Sequence, residues 1–310
     1  MAVSLIITFS LLIYKVMNVK KFFSQSELLT LIKCVIDNYN PTDLKNTINL
    51  ACAGELIQKI SDHFESEYGV RVKFIQSFIF LASSTTMSSK ATSADQGWHT
   101  DGTCQIIDGD CYNAWIPVYN DSTCTGIEVI PESENKDLYA ALGDPTYPLM
   151  VYVRDTAPWV FDIMKGRIAS NADMIFVKSY NGTILPVCKK DLHIVRCEDP
   201  QPGDISIFKQ SEIHRGFHKN GIRIQLSLKF QAIDARLNSN PSNNLYKLFE
   251  AFAKGNGGYD EYMEFTKLFT PKTPLSKHGI LERDAILSLL KNTCRELERE
   301  PNRLEKSEIL

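Results

Sequence analysis

Two short stretches of this 310-residue chain hold the residues best suited to chemistry. One is Gln96-Gly97-Trp98-His99-Thr100-Asp101-Gly102; the other runs from Pro202-Gly203-Asp204 to His214 and on to His218. At a strand end, side chains i and i+2 leave from the same face, so the imidazole of His99 and the carboxylate of Asp101 can share one ion. Taken alone, an H-x-D triplet arises by chance in many proteins, and a surface His and Asp beside a loop is the plainer reading. His214, read as standing where a strand ends and a turn begins, lifts it. A histidine from a neighbouring strand completes two imidazoles and one carboxylate, a face that leaves coordination positions open and suits non-heme Fe(II) and O₂ chemistry.

Arg223 follows on a long alternating strand over 222–232. Ile222, Ile224, Leu226, Leu228 and Phe230 line one face of that strand, and Arg223, Gln225, Ser227 and Lys229 line the other. A guanidinium there, with Ser227 beside it, suits a fixed fork for the carboxylate of an acidic cosubstrate. The remaining histidines fit less well. His218 shares no face with His214 if the strand ends at His214, His193 is expected on a solvent-facing strand, and His63 and His278 fall in helical or loop regions.

The elements that must position these groups follow from periodicity. Ser26 before Glu27 opens an amphipathic helix with Leu28, Leu29, Ile32, Val35 and Ile36 inward. A second helix follows Asn40-Pro41, with Leu50, Ala53, Leu56, Ile57, Ile60 and Phe64 on one face. From Val70 the period becomes that of a strand, through Val72, Phe74 and the apolar run 78–81, and a Ser/Thr-rich surface loop is expected over 83–95. Short β-branched or aromatic runs then recur at 111–119, 127–130, 149–153, 174–178, 193–197, 205–208 and 222–232. Turn signals separate them, and Asn181-Gly182 is a strong hairpin signal. Helical patterning returns after Asn238 and over about 283–298. The expected fold is mainly β with flanking α: a double-stranded β-helix, or jelly roll, over about 70–235 with helical flanks at 22–69 and 241–300, in one domain spanning 1–310.

Composition narrows the partners. A chain 44% hydrophobic and 23% charged is an ordinary globular one, which excludes collagen-like, coiled-coil and disordered classes. Thirty-four Lys and Arg against 37 Asp and Glu give a net charge of −3, which argues against nucleic acid or anionic membrane as the main partner. The eight cysteines are dispersed with no C-x-x-C pair, which excludes a zinc ribbon or thioredoxin-like motif; free thiols in a reducing compartment are expected. The apolar stretch 2–14 is too short to span a bilayer and has neither a basic n-region nor a small-residue cleavage site after it. A core strand or packed helix is expected there, in a cytoplasmic monomer that acts on a small molecule.

The assembled motifs resemble the Fe(II)/2-oxoglutarate-dependent oxygenases, and within them the phytanoyl-CoA dioxygenase-like group. Four pieces match in order: Trp98-His99-Thr100-Asp101; Trp115-Ile116-Pro117-Val118; Gly126-Ile127-Glu128-Val129-Ile130-Pro131-Glu132-Ser133; and Gly203-Asp204 to His214 with Arg223. In the third, Glu132 and Glu134 replace the glycine and histidine of the group's hairpin, leaving the metal triad untouched. The resemblance implies His99, Asp101 and His214 as iron ligands and Arg223 as partner of the distal carboxylate of 2-oxoglutarate. It implies Trp115 packing against that cosubstrate, with Gln96 and Ser227 in hydrogen-bond reach. Because Asp101 stands where a halogenase carries Ala or Gly, the halogenase branch is disfavoured.

The resemblance further implies oxidation of an unactivated C–H bond of a small, carboxylated metabolite, with O₂ consumed and succinate and CO₂ released. Hydroxylation is the default outcome, and desaturation or ring closure is open to the same chemistry. Arg154, Trp159 and Arg167, in the stretch 132–192, are candidate substrate contacts, alongside the 83–95 loop. Two other readings stay open: a non-oxygenase metal-binding jelly roll of cupin type, which needs no Arg223, and a protein-modifying hydroxylase.

Overall fold

The alternation over 222–232 puts aliphatic and polar side chains on opposite faces of one strand, and both faces must be covered. In the computed structural model, which describes residues 16–39, 48–83, 100–101, 107–142, 174–178, 184–237 and 277–299, this run is interior to a five-stranded antiparallel sheet. Numbered in chain order, that sheet runs β1 (Met17–Val19), β9 (Ile205–Lys209), β4 (Cys111–Asn120), β11 (Ile222–Ala232), β2 (Val72–Ser83). A three-stranded antiparallel sheet runs β10 (Ile213–His218), β5 (Thr125–Ile130), β8 (Val195–Glu198). Two short pairs join β12 (Arg236–Leu237) to β3 (Ile107–Asp108), and β6 (Met174–Lys178) to β7 (Ile184–Cys188).

Helices cover the aliphatic face of the large sheet. α1 (Gln25–Asn38), α2 (Gly54–Tyr68) and α4 (Lys277–Arg299) bury Leu28, Ile32, Phe64 and Leu290 against Tyr112, Ile116, Leu226 and Phe230. Burying a Leu, Ile or Phe is worth about 1.5–3 kcal/mol each, so this layer is the main source of stability. A short helix, α3 (Lys136–Leu142), packs with Ile130 and Ile213 on the outer side of the small sheet. The polar face of the large sheet turns inward. There Trp115 and Phe208 meet Ile127, Val129 and Cys197 of the small sheet. Two facing antiparallel sheets, with three helices over the outer face of one and α3 over the outer face of the other, make the expected jelly roll.

Several expectations shift in register. α1 is capped by Ser24, not Ser26: Ser24 Oγ accepts from the Glu27 amide while Glu27 Oε2 accepts from the Ser24 amide at 2.8 Å. A capping box needs the three-residue spacing that only Ser24 has. The second helix begins at Gly54 after a 3₁₀ turn over Ala51–Ala53, and the fourth runs longer than expected. β6 and β7 pair as the Asn181-Gly182 signal requires, although 179–183 lie outside the described residues. The expected strand at 149–153, the segment 2–14, the helix after 238 and all but the first residue of the 83–95 loop also lie outside them. No helix among the described residues is long and apolar enough to cross a membrane.

Two expectations are corrected. Cys34, on α1, is disulfide-bonded to Cys52, in the turn before α2, so the cysteines are not all free thiols. That bond removes the composition-based ground for a reducing compartment. His214 does not end a strand; it is the second residue of β10, and His218 closes that strand. The two histidines therefore do share a face, about 13 Å apart along the strand. His218 instead clasps the β5 and β11 ends: its Nε2–H donates to the Gly221 carbonyl at 3.1 Å, and its Nδ1 lies 3.0 Å from Thr125 Oγ1.

Leu226→Ala, at a buried position under the helices, should cost about 2–5 kcal/mol of unfolding free energy in urea titration. Burial lowers the His218 pKa below its ordinary 6.5, so the fold prefers the neutral ring. That contribution is fully present above pH 6.5 and is lost as the pH falls through the lower folded value. Melting temperatures taken between pH 7 and 5 should therefore fall more steeply for the parent than for His218→Gln.

Candidate metal centre

A tight turn presents His214. In the residues before β10, Glu212 accepts the Lys209 amide at 3.0 Å and the Glu132 amide at 3.3 Å, and Gln210 donates its own amide to the Cys111 carbonyl at 2.8 Å. Burial raises the Glu212 carboxyl to about 7 despite those two donors. The Gln210 carbonyl in turn accepts the Asp101 amide at 2.9 Å, which ties the Asp101 backbone to the turn that precedes His214. His214 is buried against Phe208, with ring centroids 4.7 Å apart, and against Trp115 at 6.2 Å.

The orientation of the two candidate ligands is chemically specific. His214 Nδ1 lies 2.8 Å from the Glu212 carbonyl, which only accepts, so Nδ1 carries the proton. In the neutral ring Nε2 then keeps its lone pair, and that atom faces Asp101 Oδ1 at 3.9 Å. Two electron-pair donors facing each other beyond hydrogen-bond range suit a shared cation between them. Asp101 Oδ2 is occupied by Asn113 Nδ2 at 2.8 Å and Lys229 Nζ at 2.6 Å. Among the described residues no group of three His, Cys, Asp or Glu converges on a metal position; the third expected ligand, His99, lies outside them.

Arg223 sits on the same strand face as Lys229 and Ser227. It is 2% exposed, its Nη1 donates to the Gly126 carbonyl at 3.0 Å, and its Nε has no hydrogen-bond partner. No carboxylate among the described residues pairs with it, and burial pushes the guanidinium down to about 10. Gly126 is the first residue of the third sequence motif, and its place explains its type: a Cβ there would run into the Cys197 carbonyl of β8. Between Arg223 and Lys229, across the register of β2, β11 and β4, lie Phe78, Ser227 and Trp115. Ser227 Oγ, the Trp115 indole N–H and both amide ends of Gln76 are buried without partners. A native core leaves few such atoms, and here they cluster on one wall.

The structure thus brings Asp101, His214 and Trp115 together, and sets Ser227 and Arg223 on the same inward face of the large sheet. Gln96, Arg154, Trp159 and Arg167, like His99, lie outside the described residues. Sequence reasoning missed Lys229, Asn113 and Gln76 as members of the site. A signal was present: Lys229 alternates with Arg223 on an interior strand, and Asn113 stands two residues before Trp115.

No protein-family model matches the chain, and no curated protein does. Solved structures to which it is similar include SnoK, a non-heme alpha ketoglutarate dependent carbocyclase from nogalamycin biosynthesis, at 11% identity and a TM-score of 0.43 over 84% of this chain and 88% of that one. The epimerase SnoN, solved with Fe³⁺, alpha ketoglutarate and nogalamycin RO, matches at 11% identity and 0.42 over 73% and 82%. The non-heme monooxygenase ThoJ matches at 9% identity and 0.38 over 92% and 95%. At such identities and TM-scores these likenesses carry no argument about the chemistry of this chain.

A buried guanidinium with no carboxylate partner among the described residues is a liability to the ligand-free protein. Arg223→Met should raise unfolding free energy by about 1–4 kcal/mol when no ligand is added, measured by urea or thermal unfolding. A loss of stability instead would make Arg223 a structural residue.

Proposed function

We propose that this chain is an Fe(II)- and 2-oxoglutarate-dependent oxygenase acting on a small molecule. One observation carries the proposal: among the described residues no carboxylate pairs with the buried guanidinium of Arg223, which lies on the same inward strand face as Lys229, the partner of Asp101. A metal-binding jelly roll of cupin type would have no use for such a cation. A dicarboxylate that reaches the metal with one end and Arg223 with the other supports both features at once.

The residues fit the metal by their donor set. Asp101 Oδ1 and His214 Nε2 would hold it, with His99 of the H-x-D motif as third ligand. When bound, the metal with 2-oxoglutarate and O₂ would supply oxidative decarboxylation to succinate and CO₂ coupled to oxidation of a C–H bond. The chain does the rest. The Glu212 carbonyl fixes the tautomer and plane of His214. Arg223 would grip the distal carboxylate with a charge-assisted contact, while Gly126 O keeps Nη1 in place. Ser227 Oγ and the Trp115 N–H are the unpartnered groups nearest in register to offer further hydrogen bonds. Phe208 and Trp115 wall His214 off from water. The substrate is proposed to be a carboxylated metabolite, with Arg154, Trp159 and Arg167 as its candidate contacts.

Purified chain with ferrous iron and 2-oxoglutarate should release succinate, and His214→Ala or Asp101→Ala should abolish it. Arg223→Leu should weaken 2-oxoglutarate binding to the anaerobic Fe(II) protein roughly tenfold to a few hundredfold, read from the metal-to-ligand absorption band. Iron affinity should hardly change. Unaltered 2-oxoglutarate binding would place the anchor elsewhere, and no binding by the parent would return the cupin-type reading.

A further inference from the structure

Lys229 is a lysine where lysines are rare. It is 7% exposed, on an interior strand, with Asn113 opposite it on β4 and Gln76 on β2. A buried ammonium needs a counter-charge and hydrogen-bond acceptors. Lys229 finds both: Asp101 Oδ2 at 2.6 Å and Asn113 Oδ1 at 2.5 Å, while Asn113 Nδ2 closes the triangle on the same Oδ2 at 2.8 Å. The carboxylate that neutralises this lysine is therefore the one assigned to the metal.

We infer that Lys229 is the built-in counter-cation of the metal-free site: it balances Asp101 before a divalent ion arrives and loosens the site's hold on that ion afterwards. The inference rests on the metal reading of Asp101 and His214. Its logic is one of charge and geometry. Two donors hold Oδ2, so a single oxygen, Oδ1, is turned toward His214 Nε2. An incoming ion does not have to evict Lys229, because it binds the other oxygen. It does enter beside the ammonium of Lys229, at a place where Lys229 and His214 are buried and like charges are weakly screened. Asn113 has the opposite effect: its neutral amide orients the carboxylate and adds no repulsion. Lys229 is thus a positioning residue that acts on the metal through Asp101, and the metal-free protein is spared an uncompensated, largely covered carboxylate whose side chain is 19% exposed.

The test uses full-length, metal-stripped protein with Mn(II) as the probe, free ion being counted by its electron paramagnetic resonance signal and stability followed by thermal melting. Lys229→Met should bind Mn(II) at least roughly tenfold more tightly than the parent, the scale on which partners of metal ligands tune affinity. Its metal-free form should melt below the parent, and saturating Mn(II) should close that gap. Asn113→Ala, which keeps the ammonium and loses the orienting amide, should bind more weakly than the parent. Lys229→Gln, which leaves a polar end for Asn113, replaces Lys229→Met should the latter fail to fold. Equal or weaker Mn(II) binding by the Lys229 variant, with His214→Ala still abolishing binding, overturns the inference and leaves the metal site standing. Tighter binding by Asn113→Ala as well would trace the effect to loosened packing and also overturn it. If the parent binds no Mn(II), or His214→Ala binds it equally, the metal reading fails and takes this inference with it.

Discussion

The structure depends on burying charge between two sheets. Four polar side chains on β11, Arg223, Gln225, Ser227 and Lys229, are all less than a tenth exposed, and two of them are cations. Removing a cation from water costs several kcal/mol unless something replaces its hydration. Lys229 is compensated by Asp101 and Asn113. Arg223 has one carbonyl and no carboxylate among the described residues. That inequality is the informative feature of this sheet face, because a fold selected for stability alone would have paired both or neither.

The other face of the same strand makes that cost bearable. Ile224, Leu226, Leu228 and Phe230 are fully or almost fully buried beneath α1, α2 and α4. The helices thereby anchor the strand whose opposite face is the functional wall. Since alternate residues of β11 point in opposite directions, packing on the helix side fixes the register of the polar side to the residue. A one-residue slip would send Arg223 and Lys229 into the helices.

Around these side chains, backbone groups do much of the positioning. The Glu212 carbonyl sets the His214 tautomer, the Gln210 carbonyl holds the Asp101 amide, and the Gly126 carbonyl receives Arg223. Each acceptor lies where a strand or turn has already fixed it, so the site is organised before any ligand binds. Burial also quiets a nearby nucleophile: the Cys111 thiol is pushed up to about 12.

The sequence by itself determined the alternation. Period two over 222–232 separates the aliphatic face from the polar one because successive side chains of a strand must diverge, and the β-branched runs at 174–178 and 205–208 mark strands for the same local reason. It also determined which residue types could serve a metal and a carboxylate. Partnership was decided only in three dimensions. That Lys229 belongs to Asp101, far away in the chain, depends on β11 lying beside β4 and on Gln210 drawing in the Asp101 segment. That Cys34 bonds Cys52 depends on how α1 meets the turn before α2. That His214 opens a strand instead of ending one depends on its pairing with Val129 of β5. Such pairings are set by packing and hydrogen bonds between distant segments, and no local period records them.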